Sequence, residues 1–150
     1  MNIAIGSDHA GFHLKNRLRD LLRAEGHSVE DVGATSPEPS DYPDFAERVG
    51  AAVASGAAHR GIVVCGTGAG SCMAANKVRG VRAAMVFDPL TARLTRQHND
   101  ANVLCLGERI TGVEMVEEIV RVFMSTEFSG SERHVRRIAK IAAIEARRAD

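Results

Sequence analysis

Five times along this chain a short apolar stretch leads through a turn into apolar residues at helical spacing. That alternation implies one arrangement above others, a parallel sheet with helices on both faces. Residues 2–6, with Ile3 and Ile5, read as the first strand, and Ser7-Asp8-His9-Ala10-Gly11 as the polar turn after it. Leu14, Leu18, Leu21 and Leu22 then mark a helix stopped at Gly26. Residues 27–32 read as a second strand, and residues 33–43 as a Ser-, Pro- and Asp-containing loop. Pro43 opens a helix with Phe45, Val49 and Val53 on its buried side. Residues 81–87 and 102–106 read as strands four and five. Between them Asp88-Pro89 opens a helix carrying Leu90 and Leu94, which ends in Arg96-Gln97-His98-Asn99-Asp100. Thr111 and Glu114 have the spacing of a capping box ahead of Val116, Val120 and Phe123. After Ser129-Gly130-Ser131, a last helix carries Val135, Ile138, Ile141 and Ala142 beyond the regular alternation. Its apolar stripe needs a partner, which predicts packing against a neighbouring subunit.

The third strand carries the most informative turn. In residues 60–77, Ile62-Val63-Val64 is a β-branched run suited to a strand covered on both faces. Cys65 falls at its end. Gly66, Gly68 and Gly70 follow, and a helix is expected to start near Ser71. Backbone N–H groups left unpaired at such a turn make an anion site. Neither familiar glycine motif fits. A dinucleotide fingerprint needs glycine where Ser71 stands, and a P-loop needs Lys and Ser/Thr where Cys72 and Met73 stand. A tight strand-to-helix connection with an inert buried cysteine is the plain alternative. In parallel sheets ligands bind at the carboxyl ends of the strands, so Asp8-His9 and Cys65 to Gly70 belong at one edge.

Composition narrows the class. The 150 residues suit one domain, residues 1–150, with a real core. Nineteen basic residues balance nineteen acidic ones, which argues against a general nucleic-acid or membrane surface. No apolar run is long enough for a membrane span, and the opening residues lack the pattern of a signal peptide. The three cysteines, Cys65, Cys72 and Cys105, form no C-x-x-C pair, so neither a disulfide framework nor a zinc site is expected. The expectation is a reduced, cytoplasmic protein. His9 and His13 are spaced to share a helix face, but no third ligand motif accompanies them, and no metal is expected.

Among groups able to do chemistry, Cys65 leads as a base or nucleophile, since a helix start favours the thiolate. Cys72 and Cys105 read as core. His98 suits proton transfer near neutral pH, with Asn99 beside it to orient it or to touch substrate. A helix-end histidine held by the dipole is the plainer reading. Arg133 and Arg137, four apart, match a phosphate dianion, or form a solvated basic face; Arg109 has the same ambiguity. These parts suit a phosphorylated small substrate whose reacting carbon sits over the glycine turn. A thiolate there could take a proton beside a carbonyl while loop amides stabilise the enediolate.

The motifs Gly6-Ser-Asp8-His9-Ala-Gly11-Phe12, Cys65-Gly-Thr-Gly-Ala-Gly70, Ala74-Ala-Asn-Lys77 and Arg96-Gln-His-Asn-Asp100 resemble those of the type B ribose-5-phosphate isomerases. That family also includes galactose-6-phosphate and allose-6-phosphate isomerases. The resemblance runs through Arg133-His134-Val135-Arg136-Arg137 and covers nearly the whole chain. It implies a Rossmann-like three-layer α/β sandwich and a homodimer, or a tetramer, with active sites shared between subunits. It implies interconversion of an aldose phosphate and a ketose phosphate with no metal or cofactor. By resemblance, Cys65 is the base between C1 and C2, and Thr67 assists proton transfer to oxygen. The amides of Gly66, Thr67, Gly68, Ala69 and Gly70 form the anion hole. His98 opens the furanose ring, Asp8 handles a ring hydroxyl, and Asn99 holds a substrate oxygen. His9, Arg109, Arg133 and Arg137 hold the phosphate, Arg109 across the dimer. Some members lack the cysteine and use a glutamate where Ser71 stands here, so this chain fits the cysteine branch. A different class remains open: a non-catalytic sugar-phosphate or nucleotide-binding module using the same turn.

Overall fold

Alternation within each central strand decides the layers. In a computed structural model that describes residues 1–147, β1 (Asn2–Ser7), β3 (Arg60–Cys65) and β5 (Val103–Gly107) are almost wholly buried. Ile3, Ile5, Ile62, Val64, Leu104 and Leu106 point to one face and Ala4, Val63, Val103 and Cys105 to the other. This is the period-two consequence of the pleat. With β2 (Ser28–Asp31) and β4 (Ala83–Met85) they form one parallel sheet in the order β2-β1-β3-β5-β4.

On the first face lie α1 (Phe12–Ala24), α4 (Pro89–Asn99) and α5 (Val113–Ser125), burying Leu14, Leu18, Leu22, Ala92, Val116, Ile119, Val120 and Phe123. On the second lie α2 (Tyr42–Ala54) and α3 (Ala69–Ala75). The second face is lined by small residues, which lets α2 lie close to the sheet. A Cβ on Gly61 would stand 2.6 Å from Val49 Cγ1. Each large side chain buried in these layers contributes about 1.5–3 kcal/mol. The three-layer α/β sandwich is the expected one. Helix α6 (Glu132–Ala146) follows α5 and buries only His134, leaving Val135, Ile141 and Ile144 about half exposed.

Several local expectations are corrected. Strand β4 covers residues 83–85 rather than 81–87, because it is an edge strand with one neighbour. Helix α3 begins at Ala69, two residues before Ser71, behind Gly68 in the left-handed conformation (φ 87°). The Thr111–Glu114 capping box does not form; Gly112 is the cap residue of α5 and no side chain caps it. Leu90 and Leu94 face outward on α4, where Ala92 and Arg96 are the buried residues. His9 shares no helix with His13: it sits in a 3-10 turn (His9–Gly11) before α1. Cys72 is half-buried rather than core.

Candidate active site

The chain order of the sheet reverses at β1 and β3, and their carboxyl ends therefore flank the crevice where such folds bind ligands. Cys65 ends β3 there, buried, and two donors reach its sulfur. Gly68 N lies 3.1 Å from Sγ and Ser71 Oγ lies 3.3 Å from it. The left-handed turn at Gly68 brings its N–H back toward the sulfur, and a side chain there would strain. Thr67 is exposed at the apex, its Oγ1 accepting from Ala69 N at 3.3 Å. Gly107, at the end of β5, passes so near that a Cβ would lie 2.5 Å from Thr67 O.

Around this turn the structure gathers several expected residues. Asp8 is buried and accepts from Gly11 N at 3.1 Å, closing the turn after β1. His9 is fixed by the loop ahead of α2: its N–H donates to Ser40 Oγ at 3.1 Å, and its Nδ1 lies 3.1 Å from Ser40 O. Arg109 follows β5, its N–H donating to Gly66 O at 3.1 Å, and its guanidinium overhangs Gly66. Tyr42, not among the residues expected at the site, lies with its ring on Gly70; a Cβ there would be 2.6 Å from Tyr42 Cζ. The only sequence signal for it is a lone tyrosine closing the loop before α2.

The other expected residues are elsewhere. Helix α4 leaves the carboxyl edge and runs back, so its last residues, His98 and Asn99, come just before β5 begins. Val103, the first residue of β5, pairs with Gly61 and Ala83, whereas Cys65 pairs with Gly107 at its far end. His98 and Asn99 therefore sit at the amino edge of the sheet. Four strand residues, on the order of 13 Å, separate the two edges along β3. Within one chain the structure does not bring His98 to Cys65.

At the amino edge His98 has its own surroundings. The His134 ring of α6 lies 4.4 Å from its ring, centroid to centroid. Arg133 Nε donates to His134 Nε2 at 3.2 Å, which leaves Nδ1 as the protonated nitrogen facing Ser129 Oγ at 2.8 Å. Burial, with the nearby charges of His98, Arg133 and Arg137, holds the His134 imidazolium below its ordinary range. Ser129 N also donates to Gln97 O, tying this segment to α4. Arg133 and Arg137 lie exposed on α6 beside this pair. Asp100 terminates α4 at φ 45°, gripped by Arg82 at 2.9 Å and Arg96 at 2.8 Å. Neither His134 nor Asp100 was expected at the site; histidine and aspartate at helix ends carry no distinctive spacing.

The fold defines a doubly wound α/β protein with a thiol-bearing glycine turn at the sheet's carboxyl edge. The family model for ribose/galactose isomerase matches residues 3–141. The chain is 45% identical to ribose-5-phosphate isomerase B of Escherichia coli, over 97% of each chain. It is 42% identical to a D-erythrulose-4-phosphate isomerase of Pectobacterium atrosepticum, over 87% of this chain and 86% of that one. The solved structure of Clostridium thermocellum ribose-5-phosphate isomerase B superposes with a TM-score of 0.96 at 48% identity, covering 98% and 99% of the two chains. The chain belongs to the ribose/galactose isomerase family, and it is an isomerase.

Proposed function

We propose that this protein interconverts ribose 5-phosphate and ribulose 5-phosphate, with the active site assembled from two copies of the chain. The observation that carries the reading is a buried cysteine with two hydrogen-bond donors on its sulfur, in a glycine turn at the carboxyl edge of the sheet. The E. coli and C. thermocellum relatives, named for the pentose reaction and matching over nearly the whole chain, support the substrate.

In the proposed reaction His98 opens the furanose ring by moving a proton between the ring oxygen and the C1 hydroxyl, and Asp8 and Asn99 hold sugar oxygens. The Cys65 thiolate takes the proton from C2 of the open aldose. The electron pair shifts into a C1–C2 double bond, and negative charge collects on O1, facing the amides of Gly66 to Gly70. Thr67 relays a proton between O2 and O1. The Cys65 proton then returns to C1, giving the ketose with no net gain or loss of atoms. His9, Arg109, Arg133 and Arg137 hold the phosphate.

Because Cys65 and His98 lie at opposite sheet edges in one chain, the reading requires a second copy to supply His98, Asn99, Arg133 and Arg137. The exposed Val135, Ile141 and Ile144 of α6 supply apolar surface for that contact. The test is isomerisation of ribose 5-phosphate beside erythrose 4-phosphate, allose 6-phosphate and galactose 6-phosphate, with chelator present. Highest kcat/KM on the pentose supports the reading. Highest kcat/KM on the tetrose, the substrate class of the P. atrosepticum relative's name, retains the mechanism and replaces the substrate. No turnover on any of the four overturns the reading and moves the substrate to another sugar phosphate.

A further inference from the structure

Ser71 is fully buried on the first turn of α3, and its hydroxyl meets two acceptors: Cys65 Sγ at 3.3 Å and Gly68 O at 3.1 Å. A hydroxyl has one hydrogen and cannot donate to both at once. The other donor on the sulfur, Gly68 N–H at 3.1 Å, belongs to the backbone and cannot turn away. The sulfur thus faces one fixed donor and one that rotates.

We propose that Ser71 is a positioning residue for Cys65, its hydroxyl turning onto the sulfur when the sulfur is a thiolate and back onto Gly68 O when the sulfur carries a proton. The proposal rests on the reading of Cys65 as the base. No bond to Ser71 forms or breaks. The proton leaving the sugar carbon goes to sulfur and returns from sulfur, while Ser71 only redirects its own hydrogen. A hydrogen bond to a charged partner is the strong kind, so the rotation favours the thiolate before each abstraction. It also holds Sγ at a fixed place relative to the turn, since Gly68 and Ser71 approach it from the same loop. The titratable groups around this loop are Asp8, His9, Tyr42, Cys72, Cys105, Glu108 and Arg109, and exchanging Ser71 changes none of them.

The test compares wild type with Ser71→Ala and Ser71→Thr, the second restoring a hydroxyl. Two pH profiles are read: kcat/KM for ribose 5-phosphate, and the rate of Cys65 alkylation by iodoacetamide, followed by mass spectrometry of the Cys65 peptide. In Ser71→Ala the alkylation profile is expected to move about one unit to higher pH, with about a tenfold slower rate near neutrality. KM stays unchanged, and Ser71→Thr reverses the shift. An alkylation profile that stays in place in Ser71→Ala overturns the proposal, whatever happens to activity. A kcat/KM profile that moves with it supports Cys65 as base. An alkylation shift with an unmoved kcat/KM profile keeps Ser71 as the partner of the sulfur and removes Cys65 as base.

Discussion

The imidazoles of His98 and His134 lie 4.4 Å apart at the amino edge of the sheet, with ring planes inclined by 40°. The pair joins the last turn of α4 to α6, and Arg133 and Ser129 hold His134 in one tautomer. Two adjacent imidazoles beside two arginines favour at least one neutral ring, and burial selects His134 for it.

That relationship predicts a pH dependence of stability. His134 titrates below 6.5 in the folded chain, so near pH 6 the unfolded chain binds more of this proton. Its neutral-state contribution is present in full above pH 6.5 and is lost as pH falls through the lower folded value. Urea midpoints measured between pH 7.5 and 5 should fall for wild type and fall less steeply for His134→Gln. Equal slopes in the two proteins would show that His134 is not the group responsible.

Opposed sheet edges predict complementation. Cys65→Ala and His98→Ala should each lower kcat by about two to four orders of magnitude, the usual loss for a proton-transfer group. Mixed after unfolding and refolding together, the two inactive variants should recover about a quarter of wild-type activity. Half of random dimers are then hybrids, and each hybrid holds one intact site of two. Absence of recovery would place Cys65 and His98 of the working site in the same chain.

The close pass of β5 beneath the glycine turn predicts a large effect from one methyl group. A Cβ on Gly107 would stand 2.5 Å from Thr67 O and 2.6 Å from Thr67 C, which are backbone atoms with no rotamer to relieve the clash. Gly107→Ala should cost about 1–3 kcal/mol in urea unfolding, as overpacking does. It should also reduce kcat/KM at least tenfold by displacing Thr67 and Gly68. Unchanged kinetics in a folded variant would mean that the position of this turn is not critical.

Cys72 should react more readily near neutrality than an ordinary thiol. The neighbouring Cys105 thiol brings it down to about 7, aided by the Met85 backbone and Asn76 and opposed by burial. The Cys72 thiol beside it, with burial, drives Cys105 up. Alkylation of the Cys72 peptide should be half-maximal at about pH 7, and Cys105→Ala should move that midpoint up. A Cys72 midpoint indifferent to Cys105→Ala would break the link between them.

Buried arginine at the start of β3 predicts a stability loss without direct damage to the thiol turn. Arg60 donates to the carbonyls of Phe123 and Met124 at the end of α5, and shares the Thr126 carbonyl with Arg96. Burial, reinforced by Arg96, pushes its guanidinium down. Arg60→Met should destabilise the fold by about 3 kcal/mol, since it leaves several buried acceptors unpaired. A difference under about 0.5 kcal/mol in urea unfolding would mean that water replaces the guanidinium.

Much of this protein is determined locally and is therefore readable along the chain. The runs at Ile3–Ile5 and Ile62–Val64 alternate because a pleated strand has a period of two, and the leucines of α1 recur because a helix has a period of 3.6. The turn from Cys65 to Gly70 is legible because Gly68 takes a left-handed backbone and Gly70 leaves out a side chain where the Tyr42 ring comes close. Other features depend on neighbours distant in sequence. Residues 81–87 have a strand's composition, but an edge position leaves only Ala83–Met85 paired. Thr111 and Glu114 have capping-box spacing, yet the chain enters α5 through Gly112. Cys72 and Cys105 come together only when α3 packs on β5. The separation of Cys65 from His98 is the most consequential case. A helix that follows a parallel strand must run back to the opposite edge before the next strand begins. The resemblance implies sites shared between subunits, but proximity in a list of catalytic residue types carries no information about that direction, and the tertiary structure decides which residues stand at which edge.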